Sequence, residues 1–275
     1  MFIILFRITF SVLVISNSVG KRVVVPAQFQ DTHLRIPHGR DVKPDEYSAV
    51  IVLFDLEISA MRKCSGVMVT EYWGLTAAHC TMYGIPFHAW YKNFTAEPFR
   101  LDLAAEVIET FTHPSFRVVL LNKVYLVEND ISLFHSLKVN LKSFARLSAV
   151  DYSTLLGLHV TYVGGGSTTF EAEFDYHMSP EDNSRQLQIG EGLITPCRPE
   201  MRIQSKYVMC VSPTCANRYQ GAGTGDSGGP LIYDHRIVGI CSFGLMSHVI
   251  ISTAYTPVSP YLDWIYQVIH SGDAY

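Results

Sequence analysis

Gly225-Asp226-Ser227-Gly228-Gly229-Pro230 is the stretch of this chain best suited to chemistry. A serine hydroxyl is a weak nucleophile. It needs a base within reach, an acid that orients the base, and N–H donors for the oxyanion it creates. Small residues on both sides of Ser227 let the backbone turn tightly and let a substrate carbonyl approach. A serine in a bare G-S-G turn is usually just a turn residue; the whole hexapeptide is a far rarer arrangement.

The same residues satisfy G-x-S-x-G, the strand-to-helix elbow of α/β-hydrolases. That fold places its acid and then its base after the serine, and it alternates strands with helices. Here helical signals are few, and the best base precedes the serine: His79, in Trp73-Gly74-Leu75-Thr76-Ala77-Ala78-His79-Cys80. The acid falls in Asn129-Asp130-Ile131-Ser132-Leu133. Alone, Asp130 reads as a turn residue and His79 as a buried strand-end histidine. Taken together, in the order His, Asp, Ser, these motifs resemble those of the chymotrypsin-like (trypsin-like) serine proteases, over roughly Ile36 to the C-terminus.

That resemblance implies an all-β fold of two six-stranded antiparallel barrels, with the site in the cleft between them and a C-terminal helix. His79 and Asp130 would come from the first barrel and Ser227 from the second. The N–H groups of Gly225 and Ser227 would form the oxyanion hole, and Ser242-Phe243-Gly244 would pair with substrate backbone. Cys64 and Cys80 match the bridge beside the catalytic histidine, and Cys197 and Cys210 match one beside the specificity pocket. Cys215 and Cys241 sit at unusual places; by elimination they form a relocated bridge, the alternatives being two free buried thiols or exchange with Cys197 and Cys210. The family's activation motif is Arg followed by I-V-G-G, and here it reads Arg35-Ile36-Pro37-His38-Gly39. A cut after Arg35 would free an Ile36 amine to bury beside Asp226. Pro37 has no N–H, so a backbone bond made there in relatives is lost.

The residue that binds Arg or Lys in trypsin-like relatives lies six before the nucleophile. Here it is Gly221, and no Asp or Glu occurs between Glu200 and Asp226 or between Ser242 and Tyr255. Gly244 should leave the pocket mouth open, and Thr253 should narrow its base. Small or medium apolar side chains are therefore the expected specificity, with Phe and Tyr the alternative. A non-catalytic homologue serving as a binding or regulatory module is the competing function, but such proteins commonly lose a triad member and this chain keeps all three.

These groups need rigid elements to position them. From Ser48 onward the chain is a series of short β-branched runs bounded by turn residues. Examples are Ala49–Phe54, Gly66–Thr70, His159–Val163, Leu231–Tyr233 and Arg236–Ile240. Such spacing suggests a sandwich or barrel. Tyr261–Ile269 has helical periodicity, with Ser259 as N-cap and Pro260 at the first helical position, and the resemblance implies that Trp264 packs this helix onto the body. Gly164-Gly165-Gly166 lacks a following Lys-Ser/Thr and reads as a mobile loop.

The first residues are apolar from Phe2 to Ile15 apart from Arg7 and a few hydroxyl residues, and Ser18-Val19-Gly20 offers small residues for a signal peptidase. Residues 1–20 read as a signal peptide, with an uncleaved signal anchor as the alternative. Residues 21–35 read as a short propeptide and 36–275 as the protease domain, its halves meeting near 150. Secretion follows, and the even count of 6 cysteines suits an oxidising compartment. Asn93-Phe94-Thr95 is the single sequon. A net charge of −4 and 17% charged residues give no basic stripe, which argues against nucleic acid. The 11 histidines show no metal-ligand spacing and read as surface or loop residues, and no cofactor is implied. Besides a peptide or protein substrate, an activating protease and a protein inhibitor are the expected partners of a monomer.

Overall fold

The computed structural model describes residues 36, 39–55, 61–82, 88–96, 101–121, 124–166, 185–199, 201, 205, 207–216, 218, 220–246 and 251–271. The expected signal peptide, propeptide and Arg35 lie outside these residues. The short β-branched runs do form strands, which bury alternate side chains while their backbones pair. After β1 (Arg40–Asp41) come β2 (Val50–Asp55), β3 (Met61–Met68), β4 (Trp73–Thr76), β5 (His88–Trp90) and β6 (Ala104–Thr112). A hairpin of β7 (Arg117–Leu121) and β8 (Val124–Glu128) precedes β9 (Ser132–Ser136). The remaining strands are β10 (His159–Gly164), β11 (Gln188–Thr195), β12 (Met209–Pro213), β13 (Pro230–Tyr233), β14 (Arg236–Met246) and β15 (Ile251–Pro257).

Two closed six-stranded antiparallel barrels result. The first closes in the order β2-β3-β4-β9-β6-β5. The second runs β11-β10-β13-β14-β15-β12 and closes by the pairing of β12 with β11. β1 adds to the start of β11, through Arg40 opposite Ile189, which ties the segment after Ile36 to the second barrel.

The first barrel buries Ile51, Leu53, Phe54, Met68, Leu75 and Phe134. Every residue of Val50–Phe54 is buried, so this run has no solvent face. Its cluster runs on into Val163, Leu187, Ile189, Ile237 and Ile240 of the second barrel, which explains a continuous apolar run where alternation would mark a half-exposed strand. The second barrel has its own core of Val160, Tyr162, Val211, Leu231, Val238 and Tyr255.

Several sequence expectations shift. The strand expected at Gly66–Thr70 ends at Met68, because Thr70 Oγ1 accepts the N–H groups of Tyr72 and Trp73 and makes a turn. The terminal helix α2 (Leu262–His270) follows α1 (Ala78–Thr81) and is entered through a 3₁₀ turn at Ser259–Tyr261. Ser259 is inside that turn and not an N-cap, and neither start carries a side-chain cap. Pro260 does occupy the first turn, and Trp264 packs on the core and on His113 at 5.0 Å between ring centroids. Gly164–Gly166 is no mobile loop. Gly164 ends β10, and Gly165 and Gly166 are buried with their N–H groups donating to Ser65 Oγ (3.0 Å) and Asp226 Oδ1 (2.8 Å).

A Cβ on Gly74 would lie 2.0 Å from the Phe134 ring, so the ring fills the space of a side chain. Gly74→Ala is expected to lower the unfolding free energy in urea by about 1–3 kcal/mol, the usual cost of overpacking. The cost will be smaller in a Phe134→Leu background. Equal costs in both backgrounds would show that the ring does not exclude the methyl group.

Candidate active site

α1 starts one residue before His79 and holds it at the end of the first barrel, while Asp130 lies two residues before the start of β9. Asp130 is 1% exposed, and a buried carboxylate is costly unless donors surround it. Three groups do so. The His79 backbone N–H donates to Oδ1 at 2.9 Å, His79 Nδ1 donates to Oδ2 at 2.8 Å, and Ser242 Oγ donates to Oδ2 at 2.5 Å. Ser242 reaches it because the β14–β15 register is irregular between Cys241 and Phe243.

Burial disfavours the charged form of Asp130, but the adjacent His79 charge and these hydrogen bonds outweigh it and hold the carboxyl below its ordinary range. Burial likewise pushes His79 down, and the Asp130 charge and hydrogen bond more than reverse this, so the imidazole lies above its ordinary 6.5. The Nδ1 bond leaves Nε2 on the opposite edge as the nitrogen with the lone pair, where its neighbour is Cys80 Sγ at 3.7 Å. Cys64, His79 and Cys80 bring ligand-type atoms within 4.8 Å of one another, but the two sulfurs are joined in a disulfide and only the imidazole remains available.

Ser227 lies half-buried between Gly225 (φ 89°) and Gly228 (φ 81°), both in the left-handed region that favours glycine. A Cβ on Gly228 would also lie 2.1 Å from Thr76 Oγ1. The loop is anchored to the first barrel: the Ser65 N–H donates to the Ser227 carbonyl at 2.7 Å and Ser65 Oγ to the Gly225 carbonyl at 3.0 Å. With those carbonyls held, the N–H groups of Gly225 and Ser227 have no acceptor among the described residues. Buried N–H groups are rarely left so. Ser227 Oγ makes no hydrogen bond to His79 among the described residues; in unliganded hydrolases that bond is often long and tightens when substrate binds.

Behind the loop, Asp226 is 2% exposed and accepts from Gly166 N–H and Gly223 N–H, each at 2.8 Å. It lines a small niche with Tyr162, Ala222, Cys241, Tyr255 and the fully buried Ile36. Gly221 and Thr253 are buried, and Gly244 on β14 is exposed. The structure thus brings His79, Asp130 and Ser242 into direct contact, and gathers Ile36 around Asp226.

A trypsin family model matches residues 38–265. The chain belongs to the trypsin family. Among trypsin-like relatives, brachyurin of Leptuca pugilator is 30% identical over 233 residues, covering 82% of this chain and 95% of brachyurin. Renal glandular kallikrein of Mastomys natalensis is 28% identical, covering 84% and 94%. The solved structure of neuropsin, a serine protease of mouse brain, superposes with a TM-score of 0.65 at 22% identity, over 84% of this chain and 99% of that one.

The two family-like disulfides form, Cys64–Cys80 and Cys197–Cys210. The relocated bridge does not. Cys241 is buried in the second barrel's core while Cys215 lies exposed on a surface turn, so both thiols are free. Asn93 is exposed and accepts from Thr95 Oγ1 at 2.9 Å. Sequence reading missed Ser65, whose hydroxyl accepts from Gly165 N–H and donates to the Gly225 carbonyl, joining two loops to the first barrel. Its position next to the bridging Cys64 was the only signal, and a small polar residue there is too common to stand out.

Asp130→Asn removes the charge that raises His79 and leaves the burial that lowers it. The imidazole pKa, followed by NMR, is expected to fall below 6.5. An unchanged titration would show that Asp130 does not control the ring.

Proposed function

We propose that this chain is the precursor of a secreted serine endopeptidase. Ser227 is its nucleophile, His79 its base, Asp130 the orienting acid, and the N–H groups of Gly225 and Ser227 its oxyanion hole. The Asp130–His79 pair carries this reading: a buried carboxylate fixes Nδ1 as donor at 2.8 Å, which leaves Nε2 to take the Ser227 proton. The freed Oγ attacks the substrate carbonyl, the proton passes from Nε2 to the leaving amine, and water releases the acyl group by the reverse sequence. The base acts when neutral, and its pKa is raised, so kcat/KM is expected to fall as pH drops through a value above 6.5.

Residues 1–20 serve as signal peptide, 21–35 as propeptide and 36–275 as the protease domain. The apolar start supports export, and no helix among the described residues is long and apolar enough to cross a membrane. Asn93 is the glycan site. Ile36 is held at φ 32°, which is costly for a β-branched residue, and hydrolysis of the Arg35–Ile36 bond removes that constraint. The freed amine stays beside Asp226 and neutralises it, so that loop order and the oxyanion hole depend on the cut. The absence of Asp and Glu from the stretches between Glu200 and Asp226 and between Ser242 and Tyr255 supports cleavage after small or medium apolar residues. A basic side chain there would lose water without gaining a partner.

Two experiments test this. A fluorophosphonate is expected to label the chain beginning at Ile36 on Ser227 and to leave Ser227→Ala unlabelled. Correctly cut protein that resists labelling would make this a non-catalytic binding module. Uncut precursor and cut Asp226→Asn are both expected to turn over peptide at least about a hundredfold more slowly than the cut wild type, given that one oxyanion-hole donor is worth about that much. Equal rates would mean that the oxyanion loop orders without the Ile36 amine.

A further inference from the structure

Position 221 has no side chain, and another residue fills the space one would take. A Cβ built on Gly221 would lie 2.4 Å from Ile251 Cγ2, with Thr253 Oγ1 at 3.8 Å and Ile251 Cβ at 3.9 Å. Residues two apart on a strand share a face, so Ile251 and Thr253 of β15 both look toward the 221–222 segment. They are not equivalent there. Thr253 is 2% exposed and its hydroxyl accepts from Ala222 N–H at 3.2 Å, which commits it to backbone. Ile251 stays partly exposed, offers only hydrocarbon, and occupies the direction in which a residue-221 side chain would project. Across the β14–β15 pairing, Gly244 sits opposite Thr253, and a Cβ on it would meet nothing nearer than 3.8 Å. One wall is open and the floor is branched aliphatic.

We propose that Ile251, and not Thr253, forms the floor of the pocket that receives the side chain before the cleaved bond. Gly221 and Ile251 act as a complementary pair, one lacking the atoms that the other supplies. The inference rests on the assignment of Ser227 as nucleophile for its meaning in catalysis, though not for its geometry. It restricts the preceding residue to Ala, Val, Leu or Met. It also means that a carboxylate introduced at 221 alone has no room to meet a basic substrate.

The test uses two readouts, peptide-library cleavage by the chain beginning at Ile36 and ligand binding to the same chain carrying Ser227→Ala. Ile251→Ala removes Cγ2 and leaves a Cβ at ordinary contact distance from position 221. It is expected to tighten indole binding by about tenfold or more, and to move cleavage toward Phe and Tyr by a similar factor, since one or two methylenes in an apolar pocket carry that much discrimination. Ile251→Val, which keeps Cγ2 and loses only Cδ1, is expected to bind indole as the unchanged residue does, within about twofold. Gly221→Asp alone is expected to leave benzamidine binding undetectable, whereas Gly221→Asp with Ile251→Ala gains it. Unchanged indole affinity in Ile251→Ala would overturn the proposal, as would a gain in Ile251→Val equal to that in Ile251→Ala, or benzamidine binding to Gly221→Asp alone as tight as to the double variant. Failure of the wild type to react with a fluorophosphonate, alongside the expected indole and benzamidine results, would overturn the assignment of Ser227 and leave the pocket floor standing.

Discussion

A buried carboxylate between the two barrels is the constraint on which the rest of the site depends. Asp130, from the first barrel, is satisfied by two donors of His79 in its own barrel and by the hydroxyl of Ser242 in the other. Taking a carboxylate out of water costs several kcal/mol, and losing one partner of a buried charge costs about 3–5 kcal/mol. The barrels therefore cannot shift against each other at this point without exposing or orphaning the charge. Ser242 is also the residue before Phe243 and Gly244 on the strand expected to meet substrate. Alignment of the base and alignment of that strand are set by one carboxylate.

The nucleophile loop is tied across the same boundary by different means. Ser65 holds the carbonyls of Gly225 and Ser227, and it also accepts from Gly165. Three residues away, Arg62 is 3% exposed, donates to the carbonyls of Phe94 and Arg185 at 2.7 Å each, and lies 5.0 Å over the Trp90 ring. β3 thus sends side chains into the second barrel's loops from two places. The glycines at 164–166 and 228–229 exist because this crossing leaves no room: Cβ atoms there would meet Asp226, Val52, the Thr224 carbonyl, Thr76 and the Val163 carbonyl within 2.0–2.6 Å.

The fold and the pairing of His79 with Asp130 were legible in the sequence because both depend on local signals. Strand runs such as Ala49–Phe54 and His159–Val163 announce themselves by β-branching and turn boundaries, and His79, Asp130 and Ser227 each sit in a distinctive motif. Contacts between distant segments were not legible. The hydroxyl of Ser65, the burial of Gly165 and Gly166, and the filling of position 221 by Ile251 arise from residues 30 to 160 apart in the chain. Elimination among cysteines failed for the same reason. An even count says nothing of direction, and Cys241 faces a barrel core while Cys215 faces solvent.

The segment from Gly221 to Gly229 links substrate choice to the oxyanion hole. Gly221 lies against Ile251, Ala222 N–H is held by Thr253, and Gly223 N–H is held by Asp226. Two residues further on, Gly225 offers one of the two unpartnered N–H groups, and Gly228 and Gly229 bond to the Cys241 and Asp226 carbonyls. The segment is tied at several points, by Thr253 on β15, by the Cys241 carbonyl on β14, by Ser65 on β3 and by the Asp226 carboxylate, so its residues move together. On the proposed reading, neutralising Asp226 from the Ile36 side orders the pocket wall and the oxyanion donors in one step. In that proposal a single short loop couples precursor processing, side-chain recognition and the geometry at Ser227.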